Sequence, residues 1–317
     1  WGCLAVSVLL WIGLLAFLPI PTAAMGKAAP LLAWLRAVWG SSEEMGHGPF
    51  LPLISLYVIG MRRRAIGEAA GAPDARGVAV MLVGAFLFWI GLKTEDVRIF
   101  LAAMVLWSWG IPFAALGAGV ARQLVFPAAY LLLAIPIDNL VIFFTMRLRL
   151  FAAAVAVVMA NGLGIATTRI GTGLHSTAGS GFNLDVADPC SGLRSIFAMT
   201  ALAAAYAFFT QRGLWRQWVL FACAVPVAVI GNIVRIVAIV IVAAWLGEET
   251  ATGFYHDYSG YLVFLVALLL LVEIGRRLNR WQWPERVGEK GSSGGEATPS
   301  ASPFAAVVVP LILVGCG

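Results

Sequence analysis

The chain has 317 residues, of which 61% are hydrophobic and only 12% charged, and its mean hydropathy is +0.91. A water-soluble chain carries about a quarter of its residues charged to cover its surface, so this composition excludes a soluble globular domain and fits a chain whose apolar surface is solvated by a bilayer. The net charge of +5 does not point to nucleic acid, because lysine and arginine collect at the ends of apolar runs, where they fix orientation and meet anionic headgroups.

Spans need about 20 apolar residues, fewer where flanking residues snorkel. In chain order they are expected from Gly2 to Ile20, Phe50 to Met61, Gly77 to Leu92, Ile99 to Leu116, Leu124 to Pro136, Ser191 to Thr210, Trp218 to Leu246, Gly260 to Gly275 and from Phe304 onward. The expected fold is an all-α membrane protein: residues 1–280 form a polytopic bundle of about eight transmembrane helices, with a small extracytoplasmic hairpin loop. Residues 281–303, rich in Gly, Ser, Pro and Glu, read as a flexible linker. Residues 304–317 read as the start of a further transmembrane segment. With Trp1 at one end and Gly317 inside an apolar run at the other, the sequence is expected to be a piece of a longer protein.

Basic residues set the orientation. Segments 62–76, 117–123, 211–216 and 276–302 carry twelve Lys and Arg, against seven in 21–48, 93–98 and 137–189. The first group, anchored by Arg62, Arg63 and Arg64, is expected on the cytoplasmic side. Among the outer segments 137–189 stands apart: amphipathic around Leu140 to Leu150, then rich in Gly, Ser and Thr. Alternation at Phe182, Leu184 and Val186 after Gly179-Ser180-Gly181 predicts a small hairpin that covers the outer face and ends at Cys190.

The four cysteines, Cys3, Cys190, Cys223 and Cys316, make neither a disulfide framework nor a metal spacing. Three lie inside apolar runs, where cysteine serves as a small hydrophobe. Cys190 alone sits in a punctuated context, Asp188-Pro189-Cys190-Ser191-Gly192-Leu193-Arg194. Asp at the cap position and Pro at the first helical one are helix-start signals, which place Cys190 in a first turn. Unpaired N–H groups and the helix dipole lower a thiol pKa there, and Arg194, four residues on, projects from nearly the same face. These neighbours favour a thiolate nucleophile over a buried structural thiol.

Arg235 interrupts the apolar run from Val225 to Trp245, where an arginine at membrane depth costs at least ~2.5 kcal/mol. Such a residue faces the protein interior and pairs with something: an anionic ligand, a developing oxyanion or a carboxylate. Carboxylates are scarce in the spans, Glu273 being one of very few, which favours function. His256, in Phe254-Tyr255-His256-Asp257-Tyr258, is either an incidental member of an interfacial aromatic belt or a proton-transfer partner. The expected topology starts the span after Cys190 and ends the span holding Arg235 on the outer side, bringing Cys190, Arg235 and His256 to one face, as a thiol nucleophile, oxyanion stabiliser and proton carrier require. His47, on the same side, is a loop histidine or a substrate contact.

The histidines at 47, 175 and 256 lack close metal-binding spacing, so no metal is expected. No phosphate-binding glycine loop is present either, and no cofactor is expected. Two rival readings remain at this point. One is a membrane transporter or lipid-binding protein with Arg235 as its anionic-substrate site and Cys190 structural, although the internal repeats common in transporters are not evident. The other is an intramembrane metalloprotease.

Cys190-Ser191-Gly192-Leu193-Arg194-Ser195, then Asn232-x-x-Arg235, then Phe254-x-His256-Asp257-x-x-Gly260, together resemble the exosortase/archaeosortase family. The resemblance extends upstream to His47-Gly48-Pro49-Phe50-Leu51-Pro52-Leu53-Ile54-Ser55 and covers residues from about 40 to 280. Histidine at 256 is similar to the bacterial exosortases. The resemblance implies a membrane-embedded cysteine peptidase and transpeptidase with Cys190, Arg235 and His256 as its catalytic group and Arg194, Asn232 and His47 as further oxyanion or substrate contacts. It also implies membrane-anchored protein substrates whose C-terminal sorting signals combine a Pro-Glu-Pro-type motif, a transmembrane helix and a basic cluster. Cleavage through a Cys thioester would pass the new C-terminus to an acceptor, a lipid or glycan among the candidates. The implied location is the bacterial inner membrane, multi-pass, with an extracytoplasmic active site. An apolar segment after a linker resembles exosortases that continue into a C-terminal extracytoplasmic domain.

Overall fold

A computed structural model of the chain describes residues 29–41, 45–136, 138–177, 181–185 and 193–281, with scattered positions between 2 and 20. The expected span from Gly2 to Ile20 is therefore barely covered. Nearly all of the linker 281–303, the segment from Phe304 and Cys190 lie outside the described residues, as do the side chains of Arg194 and His256. The chain forms two compact units, Trp1–Asn139 and Leu140–Gly317.

In the first unit a two-residue pairing of β1 (Pro19–Ile20) with β2 (Ala29–Pro30) precedes helices α1 (Leu31–Ser41), α2 (Phe50–Met61), α3 (Arg63–Glu68), α4 (Ala75–Thr94) and α5 (Val97–Leu132). The aspartates at 74 and 96 each cap the helix that follows. Asp74 Oδ1 accepts from Arg76 N and Asp96 Oδ1 from Arg98 N, both at 2.9 Å, satisfying donors a helix start leaves open. The Arg76 guanidinium also bonds the Asp74 carboxylate and holds its pKa below the usual range. Helices α4 and α5 pack closely because Gly77, Gly84 and Gly91 repeat every seventh residue along α4. A Cβ at 84 would come within 2.8 Å of the Trp107 ring, and one at 91 within 3.3 Å of Phe100 N.

Helix α5 is not one straight rod. Its 36 residues would extend about 54 Å at 1.5 Å per residue, yet Arg98 Nε donates to Pro136 O at 2.6 Å. The chain turns back at Gly117, whose φ of 85° and ψ of 178° belong to a region open essentially to glycine alone. The returning arm runs beside α3 and α2, where Arg62 Nη1 donates to Gln123 Oε1 at 3.1 Å and Ser55 Oγ to Pro127 O at 3.1 Å. The two expected spans Ile99–Leu116 and Leu124–Pro136 are thus the two arms of α5. Their open ends meet α1 in a core of Leu31, Trp34, Phe100, Leu101, Met104 and Ile135.

The second unit begins with α6 (Asp138–Gly162), followed by β3 (Thr167–Ile170), β4 (Gly173–Ser176), β5 (Asn183–Asp185), α7 (Leu193–Thr210), α8 (Leu214–Leu246), α9 (Glu248–Thr252) and α10 (Phe254–Arg280). The sequence predicts an outer loop over 137–189 that is amphipathic only around Leu140 to Leu150; the structure has a continuous 25-residue helix in its first half. The run Phe151–Ala160 explains the difference, being alanine-rich and free of Gly and Pro. Ala152, Ala153, Ala156 and Ala160 form one buried stripe against Ile236, Val237 and Val240 of α8. The Gly/Ser/Thr-rich stretch folds as a three-stranded antiparallel sheet in the order β3-β4-β5, with Leu174 opposite Leu184 and His175 opposite Asn183. Its Leu174, Phe182 and Leu184 enter the same core, and the exposed Asn183 N–H is held by Glu248 Oε2 at 2.9 Å.

Helices α7, α8 and α10 form a three-helix bundle pinned at one end. Tyr206 donates to Val272 O at 3.2 Å, Gln211 Nε2 to Gly275 O at 3.1 Å, Asn279 to Thr210 O at 3.1 Å and Arg216 to Trp281 O at 2.9 Å.

The protein is an all-α membrane protein. Among the described residues four helices are long and apolar enough to cross a membrane, Ala75–Thr94, Val97–Leu132, Leu214–Leu246 and Tyr258–Arg280. Phe50–Met61 has 12 residues and rises only about 18 Å, short of the ~30 Å hydrocarbon core. Leu124–Pro136 belongs to the return arm of α5, and Ser195–Thr210 is apolar but shorter than a full span.

Candidate active site

Arg235 and Asn232 of the second unit line a cavity at the bundle end opposite its pinned end. Helix α8 presents Ala228, Gly231, Asn232 and Arg235 to this cavity, and α10 presents Gly260, Val263, Phe264 and Ala267. Both sets repeat at i, i+3, i+4 and i+7, which is one face of a helix. Ser195 and Met199 of α7 close the third side. The helices run antiparallel, so Arg235, Ser195 and Gly260 lie at one level and Ala228 and Ala267 about 10 Å below. Four of the lining residues are Gly or Ala, so little side-chain bulk fills the space between the helices there.

Arg235 is held in this cavity by α10. Its Nε donates to Ser259 Oγ at 3.3 Å, and Ser259 is only 6% exposed. Gly260 lets the guanidinium lie against the α10 backbone, since a Cβ there would sit 3.3 Å from both Cζ and Nη2. Gly231 allows the same closeness one turn lower, where a Cβ would meet Val263 Cγ1 at 3.1 Å. Asn232, one turn from Arg235, is 8% exposed.

Ser195, which lines the cavity, follows Arg194 directly and Cys190 by five residues in sequence. His256 stands one turn before Gly260 in α10. His47 is buried in the turn Met45–Pro49 of the first unit, next to Gly48, which packs on the Trp39 ring. Cys223 is a free, half-buried thiol of α8 away from the cavity lining.

A family model described as transmembrane exosortase matches residues 39–273. The chain belongs to the transmembrane exosortase family. No curated protein and no solved structure matches it. The matched region of this exosortase spans most of both units, with Cys190, Asn232, Arg235 and His256 inside it.

Sequence reasoning found Asn232 and Arg235 but missed Ser259, Ser195, Met199 and Gly231. Gly231 and Gly260 had a readable signal, since a glycine in a helix interior reduces helix stability and marks a close approach. Ser259 had none beyond its place beside Gly260, because a serine at a helix–helix contact cannot be told from an exposed one without the partner helix.

Proposed function

We propose that this exosortase is a membrane-embedded cysteine transpeptidase in which Cys190 is the nucleophile, Arg235 the oxyanion stabiliser and His256 the proton carrier. The observation that carries the proposal is the position of Arg235. It lies in a cavity walled by the beginnings of α7 and α10, the two helices whose first turns border Cys190 and contain His256. Ser195 and Gly260 line this cavity and stand five and four residues from Cys190 and His256 in sequence, which supports assigning the three residues to one site.

The steps follow from the chemistry of the three groups. The Cys190 thiolate adds to the carbon of a substrate peptide carbonyl, and the C=O electron pair moves onto oxygen, where the Arg235 guanidinium stabilises it. The intermediate collapses, the C–N bond breaks, and the leaving amine takes a proton from His256, giving a thioester. His256 then removes a proton from the acceptor nucleophile, which attacks the thioester and returns the thiolate. Substrates are membrane-anchored proteins with C-terminal sorting signals of the Pro-Glu-Pro, transmembrane helix and basic cluster type. The acceptor is a lipid or glycan nucleophile.

Charge supports an outer-side active site in the bacterial inner membrane. Arg212, Arg216, Arg276, Arg277 and Arg280 gather where α7 ends, α8 begins and α10 ends, whereas Glu248 and Glu249 lie at the cavity end. By the positive-inside rule the arginine end faces the cytoplasm. This holds within one bundle and does not depend on how many times the preceding chain crosses.

The test is processing of a membrane-anchored reporter carrying such a signal. Wild-type protein cleaves it, Cys190→Ala and Cys190→Ser do not although they accumulate and fold, and Cys223→Ala behaves as wild type. Wild-type-like cleavage by Cys190→Ala would eliminate the thiol mechanism.

A further inference from the structure

The cavity that holds Arg235 is polar at its mouth and apolar below. Away from Asn232 and Arg235 the space runs down between Met199, Ala228, Gly231, Val263, Phe264 and Ala267, to about 10 Å beneath the guanidinium. Met199, Ala228, Phe264 and Ala267 are themselves buried, so this lower part faces the interior of the bundle and not lipid. A hollow among apolar side chains destabilises a fold, because its walls forgo the contacts that closer packing would give. Ordered water does not offset that loss. It needs several polar partners, and the lower walls are hydrocarbon apart from the Met199 thioether. Filling the hollow would be simple, since one branched side chain in place of Ala228 or Ala267 takes up the space.

We infer that this hollow is the specificity pocket of the enzyme, and that it receives a small apolar side chain from a residue flanking the scissile bond. This rests on the proposed roles of Cys190 and Arg235 and adds the side chain that their site selects. Position points to a flanking residue. The two α-carbons beside a scissile bond are about 3.8 Å apart, so with its carbonyl at the guanidinium either side chain starts at the pocket mouth. Size sets which side chain fits. The cavity volume is about 30 Å³, and one water-sized sphere takes about 10–15 Å³, which leaves room for roughly two or three carbon-sized groups. Alanine and valine side chains fit. Leucine and phenylalanine overfill the pocket, glycine leaves it empty, and a charged or amide side chain loses its water partners without replacement. A lipid acyl chain, many carbons long, is excluded by the same volume.

Reporters that differ only at the two residues flanking the cleaved bond test the pocket, the bond being located by mass spectrometry of the released fragment. Each carries Gly, Ala, Val, Leu or Phe at one of the two positions. A mismatch of one methylene in an apolar pocket changes the preference by about tenfold or more. At one of the two positions the wild-type protein is therefore expected to cleave the Ala and Val reporters at least about tenfold faster than the Leu and Phe reporters. Ala267→Val narrows the pocket, so the ratio of Val to Ala cleavage falls roughly tenfold. Val263→Ala widens it, and the ratio of Leu to Val cleavage rises roughly tenfold, a gain that a misfolded variant does not produce. Equal cleavage of all the reporters at both positions, or a ranking that Val263→Ala leaves unchanged, overturns the pocket. Val263→Ala decides alone where Ala267→Val does not accumulate. Cys190→Ala run in parallel separates the two ideas. If that variant is dead and the wild-type protein shows no size preference, only the pocket is wrong; if Cys190→Ala cleaves, the underlying mechanism is wrong.

Discussion

Gly260→Ala is a one-carbon perturbation aimed at the position of a guanidinium. The added Cβ would stand 3.3 Å from Arg235 Cζ and Nη2 and 3.6 Å from Nη1, against about 3.5–4.0 Å for relaxed carbon contacts. The guanidinium must retreat by a few tenths of an ångström. Its Nε bond to Ser259 Oγ, already 3.3 Å long, loosens as it does so. A 1 Å misplacement near the reacting atoms costs roughly 10²-fold in rate, so a shift of about half that size predicts a loss of roughly tenfold. Gly260→Val, with two further methyls, is expected to lose roughly 10²-fold or more. Stability responds differently: alanine in a helix interior is favoured over glycine by about 0.5–1 kcal/mol, so the melting temperature of Gly260→Ala should hold or rise. The assay pairs reporter cleavage in membranes with thermal unfolding in detergent. Wild-type cleavage by both variants would refute the idea that α10 positions Arg235. Parallel loss of melting temperature and activity in Gly260→Ala would make Gly260 a packing residue only.

Arg235→Lys keeps the charge but loses the planar fork that can hold Ser259 and a substrate oxygen together, so cleavage should fall on the order of 10²-fold while Arg194→Lys is milder; the reverse order, read in the same assay, would exchange their roles. Single-cysteine variants in a cysteine-free background report the orientation of the bundle. Glu249→Cys should react with a membrane-impermeant maleimide on intact spheroplasts and Trp281→Cys only after permeabilisation, and the opposite pattern would put the cavity in the cytoplasm.

Much of the fold was legible because apolar length and basic flanks are composition-level signals that tertiary packing rarely overrides. Both arms of α5, the long α8 and the last helix were found this way to within a few residues. Ala-rich α6 was not, because its apolar stretch is short and lies between Arg149 and Asn161, and only burial against α8 shows what its alanine stripe is for. A return over 117–123 was expected, but that it is made at Gly117 through a positive φ, with the two arms closing until Arg98 touches Pro136, is seen only in the structure. In the candidate site, Arg235 stood out because a charge in an apolar run demands a reason. Asn232 was noticed only as part of a motif, and its place on the cavity wall one turn from Arg235 is a fact of packing and not of sequence.

The length of α8 bears on how an arginine is tolerated there at all. The helix has 33 residues, about 50 Å, well beyond the ~30 Å hydrocarbon core. Exposed Trp215 and Trp218 stand near its first turn and exposed Trp245 near its last, which is where indole rings mark the two interfaces. Arg235 lies 17 residues, about 26 Å, beyond Trp218 and 10 residues, about 15 Å, short of Trp245. It is therefore only about 5 Å from the midpoint between the tryptophans, on the cavity side, and lies within the ~30 Å hydrocarbon core, where a charge must face the protein interior and pair with it. The bond to Ser259 and the walls of the cavity meet that demand: the guanidinium faces α10 and the protein interior, not lipid.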